Sequence, residues 1–265
     1  MARIHPSAIV DPRARLADDT EIGAFAMIGP QVEIDAQCVI HPHAQVIGHT
    51  RLGKANVIHS HCVIGGPPQD KKYKGEPTRL EIGDHNVFRE CCTVNTGTVQ
   101  DVGVTRVGHH NWIMAYVHIA HDCQVGSHTI MANATQLAGH VHVGDWAILG
   151  GITGVHQFVK IGAHAMTGAG TTLLQDLPPY VMATGNPASA HGINSEGLKR
   201  RGFSESQIAV LKRAYKVLYK GGHALSDAIA LMGDAAQMGI TDDQDRQALD
   251  ALRDFLGGVR RGIVR

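Results

Sequence analysis

An aliphatic residue recurs at every sixth position over most of the first 173 residues of this 265-residue chain. The series starts at Ile4, keeps one phase to Ile64 and, after two interruptions, ends at Leu173. Of its 26 positions, 23 hold Ile, Leu or Val, so the period is a property of the fold. The position four residues later is mostly small and holds four of the five cysteines, which indicates that both positions point inward. This pattern predicts a three-sided parallel β-helix with about 18 residues per coil, its coils stacked about 4.8 Å apart.

The two interruptions, at 66–81 and 95–106, predict loops that leave the coil. A regular solenoid does not need such insertions for stability, so they indicate function. The repeat ends near Leu177, and a Pro/Gly-containing link follows. We therefore predict a mainly β chain with two domains, a β-helical domain over 1–190 and a small α-helical domain over 191–265.

Helical periodicity replaces the six-residue period at Ser204. Ser204 and Gln207 have the spacing of a capping box, which predicts the start of one helix. A second helix is expected over about 224–238. A third is expected from Thr241, with Gln244 completing another capping box.

Composition limits the possible functions. Formal net charge is zero, so no overall field marks a nucleic-acid binder. No apolar run is long enough for a membrane span, the first residues lack a secretory pattern, and the cysteines have no metal or disulfide spacing. These features favour a cytoplasmic protein. Residues 199–220 hold seven Lys or Arg and one Glu, which fits either a solvated surface or a docking face for an acidic protein.

The 18-residue coil places residues that are distant in sequence on one outer corner. His121, Gly139 and Gln157 fall in one column, with Asp122 and His140 beside it, and His121 and Asp122 are expected to be exposed. A neutral imidazole can take a proton from a hydroxyl, and a neighbouring carboxylate can orient it. Gly139 leaves a backbone N–H accessible to an oxyanion. No Ser or Cys nucleophile is expected in this patch, which favours direct acyl transfer.

Several motifs resemble those of the acyl-carrier-protein–UDP-N-acetylglucosamine O-acyltransferase family, which starts lipid A synthesis. They are HIAHDC (118–123), LAGHV (137–141), VHQF (155–158), GEPTR (75–79) and NSEGLKRRGFS (194–204). The resemblance covers essentially the whole chain and implies a left-handed β-helix and a cytoplasmic homotrimer. It also implies transfer of a 3-hydroxyacyl group from the carrier-protein thioester to the sugar 3-hydroxyl, with no metal and no cofactor.

The same resemblance assigns roles to individual residues. It implies that His121 is the general base, Asp122 its orienting partner and Gly139 the oxyanion donor. The positions that match substrate contacts are Asp70, Lys72, His118, His140, His156 and Gln157. The positions that match nucleotide-sugar contacts, reached partly from a neighbouring subunit, are Asn194, Glu196, Arg200 and Arg201. Ala169 matches the position that gauges acyl length, where some members have glycine, and its methyl group is expected to shorten the preferred chain.

One departure from the family is Asn95-Thr96, which replaces a common His-Arg pair outside the catalytic patch. It leaves the reaction class intact but affects any nucleotide or carrier-protein contact made there.

Three alternatives are weighed against this assignment. A related N-acyltransferase of the same pathway carries an additional N-terminal domain, for which a repeat starting at Ile4 leaves no room. A trimeric β-helical carbonic anhydrase would use three histidines on zinc. A structural solenoid would have no activity.

Overall fold

The structure, a computed structural model, describes residues 2–265. Met1, the first residue of the predicted β-helical domain, lies outside the described residues. Within the described range, short strands form three faces that run the length of a prism. Every strand pairing there is parallel except the last, β27 with β28, whose bounds are given below. This architecture is the left-handed parallel β-helix that the sequence predicts.

Strands are numbered in chain order, and the three faces take them in turn. Face 1 contains β1 (Arg3–Ile4), β4 (Glu21–Ile22), β7 (Val39–Ile40), β10 (Val57–Ile58), β13 (Val87–Phe88), β16 (Trp112–Ile113), β19 (Ile130–Met131), β22 (Ile148–Leu149), β25 (Met166–Thr167), β27 (Val181–Thr184) and β28 (Ser189–Ile193). Face 2 contains β2 (Ile9–Val10), β5 (Met27–Ile28), β8 (Gln45–Val46), β11 (Val63–Gly66), β14 (Thr93–Asn95), β17 (His118–Ile119), β20 (Gln136–Leu137), β23 (Gly154–Val155) and β26 (Thr172–Leu173). Face 3 contains β3 (Arg15–Leu16), β6 (Glu33–Ile34), β9 (His49–Leu52), β12 (Arg79–Ile82), β15 (Val104–Val107), β18 (Gln124–Val125), β21 (His142–Val143) and β24 (Lys160–Ile161).

The repeating aliphatic residues form the core, as the period requires. Ile58, Ile119 and Leu137 are fully buried in the prism. Ile4, in the first coil of the described residues, pairs with a neighbouring coil on one side and is 45% exposed. Each coil buries its apolar side chains only against its neighbours, so the stability of the solenoid accumulates along its axis.

A ladder of buried amides crosses the interior of the central coils. Asn86 donates from its side chain to Asn56 Oδ1 at 3.0 Å, and its own Oδ1 accepts from the Asn111 backbone and side-chain N–H groups at 2.9 Å. Thr129 continues the ladder by donating to Asn111 Oδ1 at 2.7 Å. Buried polar groups are tolerated when each is paired, and this ladder also fixes the register of neighbouring coils.

Two excursions interrupt the coil at the corner between faces 2 and 3. The first runs from the end of β11 to the start of β12, and the second from the end of β14 to the start of β15. They change the spacing between stacked residues from 18 to 30 and 25, since Val57 pairs with Val87 and Val87 with Trp112. Asn95 and Thr96 are buried at the stem of the second excursion, where Thr96 donates its backbone N–H to Gly66 O at 3.0 Å.

The C-terminal helices differ in part from the prediction. They are α1 (Ser195–Arg200), α2 (Glu205–Lys220), α3 (Leu225–Leu231), α4 (Ala235–Met238) and α5 (Asp243–Gly257). The capping box of Ser204 and Gln207 at the start of α2 is confirmed. The prediction of one helix over 224–238 was wrong, because the chain turns at Gly233 and Asp234 caps α4 by accepting from two backbone N–H groups.

The predicted start of the last helix was also wrong. Asp242 is its N-cap and accepts from the Asp245 N–H at 2.8 Å, whereas Thr241 donates its hydroxyl to the Asp245 carboxylate. The short helix α1 lacks an amphipathic period and was not predicted. After α5 the chain returns to the β-helix, where Val264 donates its N–H to Asp176 O at 2.9 Å. Among residues 2–265, no helix has the length and apolar character needed to cross a membrane.

Candidate active site

His121 and Asp122 form a hydrogen-bonded pair immediately after β17. The distance from His121 Nδ1 to Asp122 Oδ2 is 2.9 Å. Because a carboxylate only accepts, this contact places the proton of the neutral ring on Nδ1. The His121 side chain remains 14% exposed, so Nε2 is left with a lone pair at a partly open surface. This is the arrangement that a general base needs.

Asp122 is buried, which corrects the expectation that it is exposed. The second excursion covers it, and Thr98 donates both its backbone N–H, at 3.0 Å, and its hydroxyl, at 2.6 Å, to the carboxylate. Burial raises the pKa of Asp122, but the hydrogen bonds from His121 and Thr98 outweigh it and hold the pKa below its ordinary value. The carboxylate therefore stays ionised beside His121.

Gly139 lies directly against His121, one coil further along, as the 18-residue spacing predicts. A methyl group on Gly139 would lie 2.6 Å from His121 Cε1 and 2.7 Å from Nε2. The carbonyl oxygen of Gly139 accepts from Phe158, whereas its N–H donates to no other group among residues 2–265. The column thus combines a basic nitrogen with an unpaired backbone donor beside it.

Two further histidines border the pair. His118 Nδ1 is 2.7 Å from Thr93 Oγ1, and burial, followed by the nearby His121, lowers the pKa of His118. The His140 ring meets the His121 ring edge-on at 5.0 Å and stacks on Phe158 at 4.3 Å. The predicted crowding of these side chains around His121 is therefore observed.

His156 and Gln157 lie one coil beyond Gly139, where the C-terminal tail joins them. Arg261 donates to Gln157 O at 3.2 Å and approaches His156 Nδ1 at 3.2 Å. Its guanidinium group also lies 5.8 Å from the centre of the Phe158 ring. Nothing in the repeat indicated Arg261, because the tail returns to the solenoid only after the helices.

The nearest thiol is not available as a nucleophile. Cys123 follows Asp122 but points into the prism, fully buried, and its Sγ donates to Ala138 O at 3.2 Å. Burial raises the pKa of this thiol to about 12. The geometry therefore favours proton transfer by His121 over covalent catalysis by Cys123.

Three side chains of this site are also spaced as metal ligands. Among residues 2–265, one group of three His, Cys, Asp or Glu side chains has ligand atoms within 4.8 Å of one another, and it consists of His121, Asp122 and His140. Two hydrogen bonds from Thr98 and one from His121 already occupy the Asp122 oxygens. The third histidine of a zinc site such as that of a carbonic anhydrase is not part of this group.

The remaining predicted residues lie on other parts of the chain. Asp70 and Lys72 are on the first excursion, where the Lys72 N–H donates to Asp70 Oδ1 at 2.9 Å. This excursion starts at the corner between faces 2 and 3, the corner at which His121 lies, but its described residues make no hydrogen bond to His121. Ala169 is exposed at the corner between faces 1 and 2.

The four predicted nucleotide-sugar residues lie within α1 or at its two caps. Asn194 caps the helix by accepting from the Gly197 N–H at 3.1 Å, and Arg200 pairs with Glu196 at 3.1 Å. Arg201 lies over the Trp146 ring at 5.3 Å and beside His164, at the corner between faces 3 and 1. One chain therefore does not bring these residues to His121.

Comparisons with known proteins agree along the whole chain. Residues 176–264 match the family model described as UDP N-acetylglucosamine O-acyltransferase domain 2, and residues 105–139 match the bacterial transferase hexapeptide model. The acyl-[acyl-carrier-protein]–UDP-N-acetylglucosamine O-acyltransferase of Thiobacillus denitrificans is 58% identical over 100% of both chains, and that of Polynucleobacter asymbioticus is 54% identical over the same extent. The structure of LpxA from Acinetobacter baumannii superposes with a TM-score of 0.93 at 46% identity, covering 99% of each chain.

Proposed function

The chain belongs to the acyl-[acyl-carrier-protein]–UDP-N-acetylglucosamine O-acyltransferase family, and we propose that it catalyses the reaction of that family. It moves a 3-hydroxyacyl group from acyl carrier protein to the 3-hydroxyl of the glucosamine ring of UDP-N-acetylglucosamine, the first step of lipid A synthesis. The observation that carries the proposal is the column in which a carboxylate-paired His121 adjoins the unpaired N–H of Gly139.

The proposed mechanism follows from these groups. His121 Nε2 takes the proton of the sugar hydroxyl as its oxygen attacks the thioester carbonyl. The resulting oxyanion accepts a hydrogen bond from the Gly139 N–H, and Asp122 stabilises the imidazolium. The intermediate then expels the carrier-protein sulfur, which takes the proton from His121 and leaves as a thiol. No residue is acylated, in keeping with the burial of Cys123.

We further propose that the enzyme is a homotrimer whose sites lie between subunits. His121, Arg201 and Ala169 occupy three different corners of one prism, so a neighbouring chain is needed to assemble them around one substrate. Exposed apolar side chains support an interface at the corner between faces 1 and 2, where Tyr116 is 63% and Ile152 72% exposed. Closed cyclic symmetry would place each such corner against the next subunit.

Mixed oligomers test the shared site. His121→Ala chains and Arg201→Ala chains are each expected to be inactive alone. When equal amounts of the two variants assemble at random, about a quarter of the sites combine an intact His121 from one chain with an intact Arg201 from the next. Activity should then return to about a quarter of that of the unchanged enzyme. Activity no higher than that of the separate variants would contradict a site shared in this way.

The reaction is proposed to occur in the cytoplasm and to require no metal or other cofactor, the carrier-protein thioester being a substrate. The test is acyl transfer by chelator-treated enzyme with carrier proteins bearing a panel of 3-hydroxyacyl lengths. We expect a product with at least one length and unchanged rates after chelation. No product with any length would refute the function. Stoichiometric zinc needed for activity would instead favour the metal site at His121, Asp122 and His140.

A further inference from the structure

The second excursion brings another carboxylate to the active site. The backbone of this excursion is held at two points. Gly97 donates its N–H to Arg79 O at 3.1 Å, and the buried Thr98 donates its N–H to the Asp122 carboxylate. Three residues beyond Thr98, Asp101 Oδ2 lies 2.6 Å from His140 Nδ1. The loop thus contacts both histidine–carboxylate pairs of the site.

The contact with Asp101 affects which histidine pairs with Asp122. Asp122 Oδ2 lies 2.9 Å from His121 Nδ1 but also 3.9 Å from His140 Nδ1. A shift of about 1 Å would bring the second distance into the hydrogen-bonding range. His140 and His121 are therefore potential competitors for one carboxylate oxygen, and Asp101 offers His140 a separate partner.

Among residues 2–265, Asp101 and Asp122 are the acids with a carboxylate oxygen within 4.0 Å of a His140 ring nitrogen. A cavity of about 460 Å³ adjoins the pair and is lined by His140, Phe158, Lys160, Asp176 and Arg261 among others. Besides Asp101, the cavity lining contains one other carboxylate, that of Asp176, which accepts a hydrogen bond from the Lys160 backbone N–H at 2.8 Å. The His140 ring is only 13% exposed, so bulk water competes poorly for its Nδ1 proton.

We propose that Asp101 is a positioning residue for the acyl transfer. It holds His140 by Nδ1 and so reserves the Asp122 carboxylate for His121. The inference rests on the proposed function, because its consequence for the rate requires His121 to be the base. Without Asp101, His140 would turn toward Asp122, and the His121 ring would lose its fixed orientation and tautomer.

A double-mutant cycle with acyl transfer as the assay tests the role. Asp101→Ala should lower kcat about tenfold, because a displacement of the His121 ring by about 1 Å can lower the rate by up to about a hundredfold. In a His140→Phe background, which keeps a ring on Phe158 but cannot bond Asp122, the same change should alter kcat less than twofold. Asp101→Glu should restore most of the loss. Gln100→Ala, an exposed neighbour on the same loop, is the matched control and should match the unchanged enzyme.

A spectrum of ¹⁵N-histidine-labelled protein gives a second readout that does not need activity. The His121 ring signals, identified by their disappearance in His121→Ala, should shift in Asp101→Ala and stay in place in Gln100→Ala. The proposal is overturned by His121 signals unmoved by Asp101→Ala, or by an equal loss of kcat in both His140 backgrounds. An inactive parent enzyme would refute the proposed function, while the spectrum would still decide whether Asp101 controls the pairing.

Discussion

Replacement of Gly139 by alanine tests the catalytic column by displacing one ring without removing any functional group. The new methyl would meet His121 Cε1 at 2.6 Å, whereas an ordinary contact begins near 3.4 Å. The ring or the backbone must therefore move by about 0.8 Å. Gly139 does not have a positive φ, so alanine fits its backbone and only the contact with His121 is disturbed.

The expected result is a fall in kcat of about 100-fold, because misplacement of a reacting group by about 1 Å has an effect of that size. This fall corresponds to about 2.7 kcal/mol of lost transition-state stabilisation. Gly154→Ala is the control, since a methyl there meets nothing within 4 Å. It should keep full activity and raise the free energy of unfolding by about 0.4–1 kcal/mol.

The assay is steady-state acyl transfer, with circular dichroism and thermal melting to verify folding. A loss confined to kcat in a normally folded Gly139→Ala protein is predicted. A kcat within twofold of that of the unchanged enzyme would refute the claim that the His121 ring must occupy its observed position.

Three other substitutions test separate parts of the account. Asp122→Asn should lower kcat by a factor on the order of 10²–10⁴, measured by the same transfer assay, because the amide cannot fix the His121 tautomer or stabilise the imidazolium. The pKa of Asp122 is lower in the folded protein than its value of 3.8 in the unfolded chain. The ionised carboxylate therefore stabilises the fold above pH 3.8, and this stability is lost as the pH falls through the lower folded pKa. Thermal melts across this acid range should show a smaller pH dependence in Asp122→Asn than in the unchanged enzyme. Asn86→Ala should reduce the free energy of unfolding by about 3 kcal/mol in denaturant titrations, since it removes the buried acceptor of the Asn111 N–H groups and the side-chain donor to Gly108 O. The backbone N–H of residue 86 still donates to Asn56 Oδ1, and a change below about 1 kcal/mol would argue against the amide ladder. Ala169→Gly should favour a longer acyl chain, changing the ratio of kcat/KM between chains one CH₂ apart by about fourfold, and an unchanged ratio would remove Ala169 from the acyl-binding surface.

The regular coils could be predicted from the sequence because one spacing determines them. Eighteen residues per coil placed Gly139 against His121 and His140 beside Asp122 without any knowledge of loops. The same spacing fails across the excursions, where stacked residues are 30 and 25 apart. Positions such as Asp70 could therefore be assigned to a loop but not to a place in the site.

The missed residues share a physical reason. Thr98 and Asp101 belong to an excursion whose path is set by hydrogen bonds to Asp122 and His140, and a period carries no information about such contacts. For the same reason Asp122 was expected to be exposed. Arg261 reaches Gln157 only because the tail returns after α5, a long-range contact that local sequence does not encode. The break between α3 and α4 did have a local signal, Gly233 followed by Asp234.

The most direct test of the central claim is the rate of acyl transfer by His121→Ala, measured against His85→Ala as a control. His85 is an exposed histidine at the corner between faces 3 and 1, where its ring stacks on His110, and its removal should leave kcat unchanged. We predict that His121→Ala keeps its fold and oligomeric state but loses a factor on the order of 10²–10⁴ in kcat, as expected for a missing general base. A folded His121→Ala enzyme that retains a tenth or more of the unchanged kcat would contradict the claim.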